Sequence, residues 1–286
     1  MIAGETNVGK SLVAIETLSS LVTGTPLWGE IQPTHIIKKV LYVLGEHYSG
    51  VIQRLYQKTR LPITDHVFLL GPEHLGADKW LVSRGQPNQQ AMSKFKRWAE
   101  GCELIVWDPL SAFVIGEGVE QDNITMRLVL DQMGLVAQSV GAACLVLAHQ
   151  GKPMMDFRGQ EHARKSYAIR GASSLEDAAT NIFYMAHGEE DPTQKAAEGK
   201  LFEMRLRKYK GDAPELYRLL RSTETLTHTL LGNRPYAEVL KLAAVAKVGR
   251  LQAAFPDYSY RTCVRIAAAV DGMPEETMKR HLGLKD

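Results

Sequence analysis

The segment Gly4-Glu5-Thr6-Asn7-Val8-Gly9-Lys10-Ser11 has the spacing G-x-x-x-x-G-K-[ST] of a phosphate-binding loop, and it constrains the architecture around it. Such a loop works between a strand and a helix. Its glycines let successive backbone N–H groups turn inward around phosphates, and the helix that follows presents its positive end to them. The run Leu12-Val13-Ala14-Ile15 is apolar and suits that helix. Gly4, Glu5, Thr6, Asn7, Val8 and Gly9 would form the cradle, Lys10 would reach the β- and γ-phosphates, and the Ser11 hydroxyl would ligate Mg²⁺. A glycine turn before an ordinary helix is the plain alternative, and the Lys-Ser pair argues against it. ATP and Mg²⁺ are therefore the expected ligands.

A phosphate loop is fed by a buried strand, usually of about five residues. Only Met1-Ile2-Ala3 stand before Gly4, so we expect a first strand that is cut short, with further residues belonging upstream.

The rest of the chain reads as a large α/β unit. Val40-Leu41-Tyr42-Val43-Leu44, Val67-Phe68-Leu69-Leu70, Leu104-Ile105-Val106-Trp107 and Ala143-Cys144-Leu145-Val146-Leu147-Ala148 are near-continuous apolar runs. Between them lie helical patterns: one carrying Ile52, Leu55 and Tyr56, one over 88–101 with Met92, Phe95 and Trp98, and one over 125–140. Continuous apolar strands alternating with helices predict a parallel sheet covered on both faces. The runs over 180–186, 201–208 and 216–221 follow one another with short connections, which predicts an antiparallel edge. Residues 151–170 are polar and read as a loop. From Gly232-Asn233-Arg234-Pro235 onward the pattern is wholly helical, so we expect an α/β domain over 1–232 and a small all-α domain over 233–286.

Within this frame a few polar residues fall at carboxyl ends of strands, where parallel sheets place their ligand crevice. Asp108 ends one such strand and is suited to hold the water shell of Mg²⁺; a turn aspartate before Pro109 is the alternative. Glu46 ends another and could orient and deprotonate an attacking water, or be a solvated loop residue. His149 and Gln150 end a third, as γ-phosphate sensors or as satisfied strand-end groups.

Taken in order, phosphate loop, Glu-ended strand, Asp-ended strand, His-Gln-ended strand and basic hairpin resemble the RecA-like ATPase core. The match is most similar to the RepA-type hexameric replicative helicases of plasmids and phages and their AAA-family relatives, over residues 1–221. The resemblance implies Lys10 and Ser11 on phosphates and Mg²⁺, Asp108 as the metal-site carboxylate, Glu46 as catalytic base and His149 as sensor. It implies that Arg170-Gly171-Ala172-Ser173-Ser174 follow a DNA-facing loop. It also implies that Met204-Arg205-Leu206-Arg207-Lys208 carry a basic finger for the neighbouring subunit's site, with the choice among Arg205, Arg207 and Lys208 open. A solvated basic strand face is the alternative. The implied partners are further copies of the chain in a hexameric ring, single-stranded DNA, and a replication initiator or primase.

A net charge of +2 does not by itself indicate nucleic-acid binding, so any DNA contact needs local patches. Lys152, Arg158, Arg164 and Lys165 would provide one in the polar loop, with Phe157 able to stack on a base; a solvated, flexible loop is the alternative. Residues 265–282 resemble a helix-turn-helix unit, with Lys279 and Arg280 on the candidate recognition helix; protein docking is the competing role. The cysteines Cys102, Cys144 and Cys263 are widely spaced, offer no metal or disulfide pattern and fit a reducing cytoplasm. Cys102 and Cys144 flank apolar runs and read as small core residues. No apolar stretch is long enough to span a membrane.

Overall fold

The computed structural model describes residues 1–5, 7–59, 65–115, 123–149, 178–187, 199–208, 216–222, 225–230, 251–270 and 274–282, with isolated positions at 175, 245, 248, 249 and 284. Nine strands form its main sheet: β1 (Ile2–Gly4), β2 (Val40–Leu44), β3 (Val67–Leu70), β6 (Leu104–Asp108), β8 (Ala143–His149), β9 (Ile182–His187), β10 (Gly199–Lys208), β11 (Leu216–Ser222) and β12 (His228–Leu230). Their order across the sheet is β12-β11-β10-β9-β1-β8-β6-β2-β3. The helices over the sheet are α1 (Lys10–Thr23), α2 (Ser49–Thr59), α4 (Gln89–Trp98) and α5 (Asn123–Val140), with a short α3 (Pro72–Leu75) after β3.

From β9 to β3 every pairing is parallel, and β10, β11 and β12 continue the sheet antiparallel. The antiparallel edge thus begins one strand later than the sequence suggests: the run over 180–186 is β9, parallel to β1. The long connection after β8 leaves room for a crossover, whereas the short ones after β9 permit only hairpins.

Alternation within each buried strand divides its side chains between two cores. Val40, Tyr42 and Leu44 of β2 and Leu104 and Val106 of β6 pack with Val13, Ile15 and Leu18 of α1 and Ile52 and Tyr56 of α2. Leu41, Val43, Ile105 and Trp107 pack on the opposite face with Met92 and Phe95 of α4 and Val129, Met133 and Val136 of α5. This double cover is the parallel, two-faced architecture that the apolar runs predict. Beside it lies a small sheet of β4 (Val82–Ser83), β5 (Gln86–Pro87) and β7 (Val114–Ile115), too short to leave a periodic signal.

Cys102 is buried, as expected, but Cys144 is exposed. β8 starts at Ala143 whereas β1 joins it only at Leu147, so among the described residues Cys144 has a strand neighbour on the β6 side only.

The C-terminal helices α6 (Tyr260–Val270) and α7 (Glu275–Leu282) pack through their own apolar cluster of Val248, Cys263, Val264, Ala267, Ala268, Met278 and Leu282. The expected domain boundary at 232–235 lies outside the described residues. No described helix is long and apolar enough to cross a membrane.

Candidate nucleotide site

The carboxyl ends of β1, β2, β6 and β8 meet at one end of the sheet, and the register brings the expected residues together there. Gly4 shares a rung with His149, and Leu44 shares one with Asp108. The Gly45 N–H donates to the Asp108 carbonyl at 2.8 Å, which pins the start of the Glu46 loop to the end of β6.

The phosphate loop has the backbone its sequence requires. Gly9 is the N-cap of α1 with φ of 100°, a left-handed conformation favouring glycine, and Asn7 also has positive φ at 64°. A Cβ on Gly4 would lie 2.1 Å from the Met185 carbonyl oxygen, so β1 approaches β9 at this point too closely for any side chain. The first turn of α1 contains no acidic residue of its own, and the carboxylate at its end, Asp108, comes from β6. Thr6 lies outside the described residues.

Lys10 is almost fully buried and donates from Nζ to the carbonyls of Gly4 at 3.0 Å and Glu5 at 2.6 Å. Burial is the main force on it and lowers its pKa to about 8, against the opposing pull of Asp108, Glu46 and Glu5. These carboxylates therefore surround the ammonium without matching its lost hydration. A phosphate anion in the loop would supply the missing partner.

Asp108 is buried at the end of β6, where its Oδ2 accepts from Ser11 Oγ at 2.7 Å and from Tyr42 Oη at 2.8 Å. Tyr42 is itself fully buried, and burial followed by the Asp108 charge raises its pKa well above the ordinary phenol value, so it remains a donor. A serine hydroxyl and a carboxylate form a hard oxygen donor pair, which fits Mg²⁺ completed by phosphates and water. Among the described residues no cluster of three His, Cys, Asp or Glu side chains suits a metal. Glu46 is exposed just beyond β2, close enough to act on the Lys10 charge. Lys79 donates to the Gly45 carbonyl at 3.1 Å, adding a cation to the base of the Glu46 loop.

Lys10, Ser11, Asp108, Glu46 and His149 therefore converge. Arg205, Arg207 and Lys208 do not join them. Lys208 pairs with Ile182 at the start of β9, at the far end of the sheet from the chain's own loop. Arg205 faces away from α1, the side on which Met204 packs, and forms an ion pair with Glu203 at 2.8 Å. The side chains of Arg207 and Lys208, and all of Lys152, Arg158, Arg164 and Lys165, lie outside the described residues. Lys279 on α7 is held by Glu276 at 2.9 Å and Glu275 at 3.5 Å; the Arg280 side chain lies outside the described residues. Two contributors escaped the sequence reading: Tyr42, hidden inside an apolar run, and Lys79, which reaches the site through a backbone carbonyl.

Fold and site together define a P-loop nucleotide-binding protein with a RecA-like core. A family model described as an AAA domain matches residues 1–155, more than half of the chain, and the chain belongs to that family. No curated protein matches it in sequence. Among solved structures it is similar to a KaiC-like protein of Pyrococcus horikoshii OT3, at 10% identity and a TM-score of 0.51, covering 81% of this chain and 88% of that one. It is also similar to another solved ATPase domain, at 11% identity and a TM-score of 0.52, covering 81% of this chain and 84% of that one. At these identities the likeness is one of fold, while the family and the motif make the chain a P-loop ATPase.

Proposed function

We propose that the protein is an ATP-hydrolysing motor that assembles as a ring, a hexamer on the RepA-type resemblance, and moves on single-stranded DNA as a plasmid or phage replicative helicase. The observation that carries the hydrolytic part is the convergence of Lys10, Ser11, Asp108 and Glu46 at one end of the sheet. In this reading Lys10 and the loop amides bind the triphosphate, Ser11 and Asp108 hold Mg²⁺, and Glu46 takes the proton of the attacking water. Bound Mg²⁺ supplies charge neutralisation on the phosphates. His149, on the rung of Gly4, senses the γ-phosphate and passes its state to the loop carrying Lys152, Arg158, Arg164 and Lys165.

A ring is supported by where β10 points. A strand whose basic residues lie away from the chain's own loop suits service to a neighbour's site, and such fingers contribute roughly 10³–10⁵ in rate in other P-loop systems. The C-terminal unit over 233–286 is assigned to duplex DNA or to a replication initiator or primase. Lys10→Ala tests the reading: DNA-stimulated ATP turnover should disappear with the fold intact, and unchanged turnover would sink it.

A second reading, a nucleotide-switched DNA-binding regulator or replication accessory, draws on the separate apolar core of α6 and α7. Sequence-specific duplex binding that survives removal of residues 1–233 would favour it over the motor.

A further inference from the structure

A cation reaches the phosphate loop from a strand that carries no motif. β11 is antiparallel to β10, which is antiparallel to β9, which is parallel to β1. Arg221, next to the last residue of β11, therefore lies at the same end of the sheet as Gly4 and the loop. Its guanidinium crosses β10 over the Phe202 ring, 4.4 Å from the centroid. Its Nη1 stands 2.8 Å from the point that a Cβ on Gly9 would occupy. The absence of a side chain at Gly9 thus leaves the space that Arg221 fills.

Nothing among the described residues accepts a hydrogen bond from this guanidinium. Glu16 is the carboxylate acting on it, but Glu16 is engaged elsewhere. Its Oε1 accepts from the His228 backbone N–H at 2.5 Å, and its Oε2 lies 2.7 Å from His228 Nδ1 and 3.2 Å from Trp28 Nε1. Five N–H donors of a permanent cation are thus brought, without an acceptor among the described residues, against the N-cap of α1. That position is the positive end of a helix whose first turn lacks acidic residues, so two positive sources meet there. An anion in the loop would supply an acceptor to both.

The direction of approach says which part of that anion. Asp108 on β6 and the Glu46 loop after β2 flank β1 on one side. Arg221 comes from the other side, across β9 and β10. The metal carboxylate and catalytic base mark the γ-phosphate end, which leaves the α-phosphate and nucleoside on the Arg221 side. We propose that Arg221 binds the nucleotide in cis, donating to the phosphate nearest the nucleoside. This deepens the P-loop reading and rests on it.

The test is titration of wild type, Arg221→Met and Arg221→Lys with fluorescent ATP and ADP, with melting temperatures in the absence of nucleotide. Methionine keeps the apolar stem against Phe202 and removes only the charge. Losing a charge-assisted hydrogen bond should weaken ATP and ADP alike, by about tenfold to a hundredfold in Arg221→Met, with lysine intermediate. Unchanged affinity with a lowered melting temperature would make Arg221 a packing residue and overturn the proposal. Weakening of ATP alone would place it at the γ-phosphate and overturn the assignment to the α-phosphate end. Failure of wild type to bind either nucleotide would instead refute the P-loop reading beneath it.

Discussion

Tyr42→Phe removes one oxygen atom from the wall of the site and leaves the ring that fills the core. The hydroxyl donates to Asp108 Oδ2 at 2.8 Å, and both residues are buried, so water cannot take over the contact. A hydrogen bond to a charged group is worth about 1.5–3 kcal/mol, and the phenyl ring keeps nearly the same volume, so no cavity term adds to it. At about 2–4 °C per kcal/mol in a domain of this order of size, the melting temperature should fall by roughly 3–12 °C. The functional consequence is more specific. Ser11 also donates to Oδ2, at 2.7 Å, but in the proposed site Mg²⁺ would claim that hydroxyl when nucleotide binds. Tyr42 is then the donor left on this oxygen, and without it Asp108 is less firmly aimed at the metal. Steady-state ATPase assays across a Mg²⁺ titration should show a higher Mg²⁺ requirement, with little change in the KM for ATP at saturating metal. Unaltered melting and an unaltered Mg²⁺ curve would refute the idea that this hydroxyl holds Asp108.

Other perturbations probe the remaining parts. Glu46→Gln should lower kcat by about 10²–10⁴ with a similar ATP affinity, as expected for loss of a general base; comparable losses in binding would argue for a positioning role instead. Because Lys10 is held near 8 in the empty site and phosphate favours its charged form, binding should take up a proton above that pH. ATP affinity should accordingly fall by roughly tenfold between pH 7 and pH 9, and calorimetry in buffers of different protonation enthalpy measures the uptake directly. His228→Ala strips one of two side-chain partners from Glu16, a carboxylate buried on the phosphate-loop helix, and losing a hydrogen bond to a charged group costs about 1.5–3 kcal/mol. Its melting temperature should drop by roughly 3–12 °C, whereas Glu16→Gln, which retains an acceptor for the His228 N–H, should lose less.

The sequence by itself determined the phosphate loop, because its groups are contiguous: Gly4 to Ser11 form the cradle through their own backbone, and no distant contact is needed to recognise it. It also determined the parallel core, since strands buried on both faces must be apolar throughout, and β2, β6 and β8 are. The placement of Asp108, Glu46 and His149 was legible for a related reason, since they are polar residues that interrupt such runs at their carboxyl ends. Tertiary structure decided what depends on pairing across the chain. Tyr42 lies inside an apolar run, and only the neighbouring β6 shows that its hydroxyl meets Asp108. β12 is three residues long and carries no periodic signal, yet it brings His228 to Glu16 across 212 positions of sequence. Arg221 looks like any cation on a strand edge. Its approach to Gly9 arises from the reversal of direction through β9, β10 and β11, a property of sheet topology that no local pattern encodes.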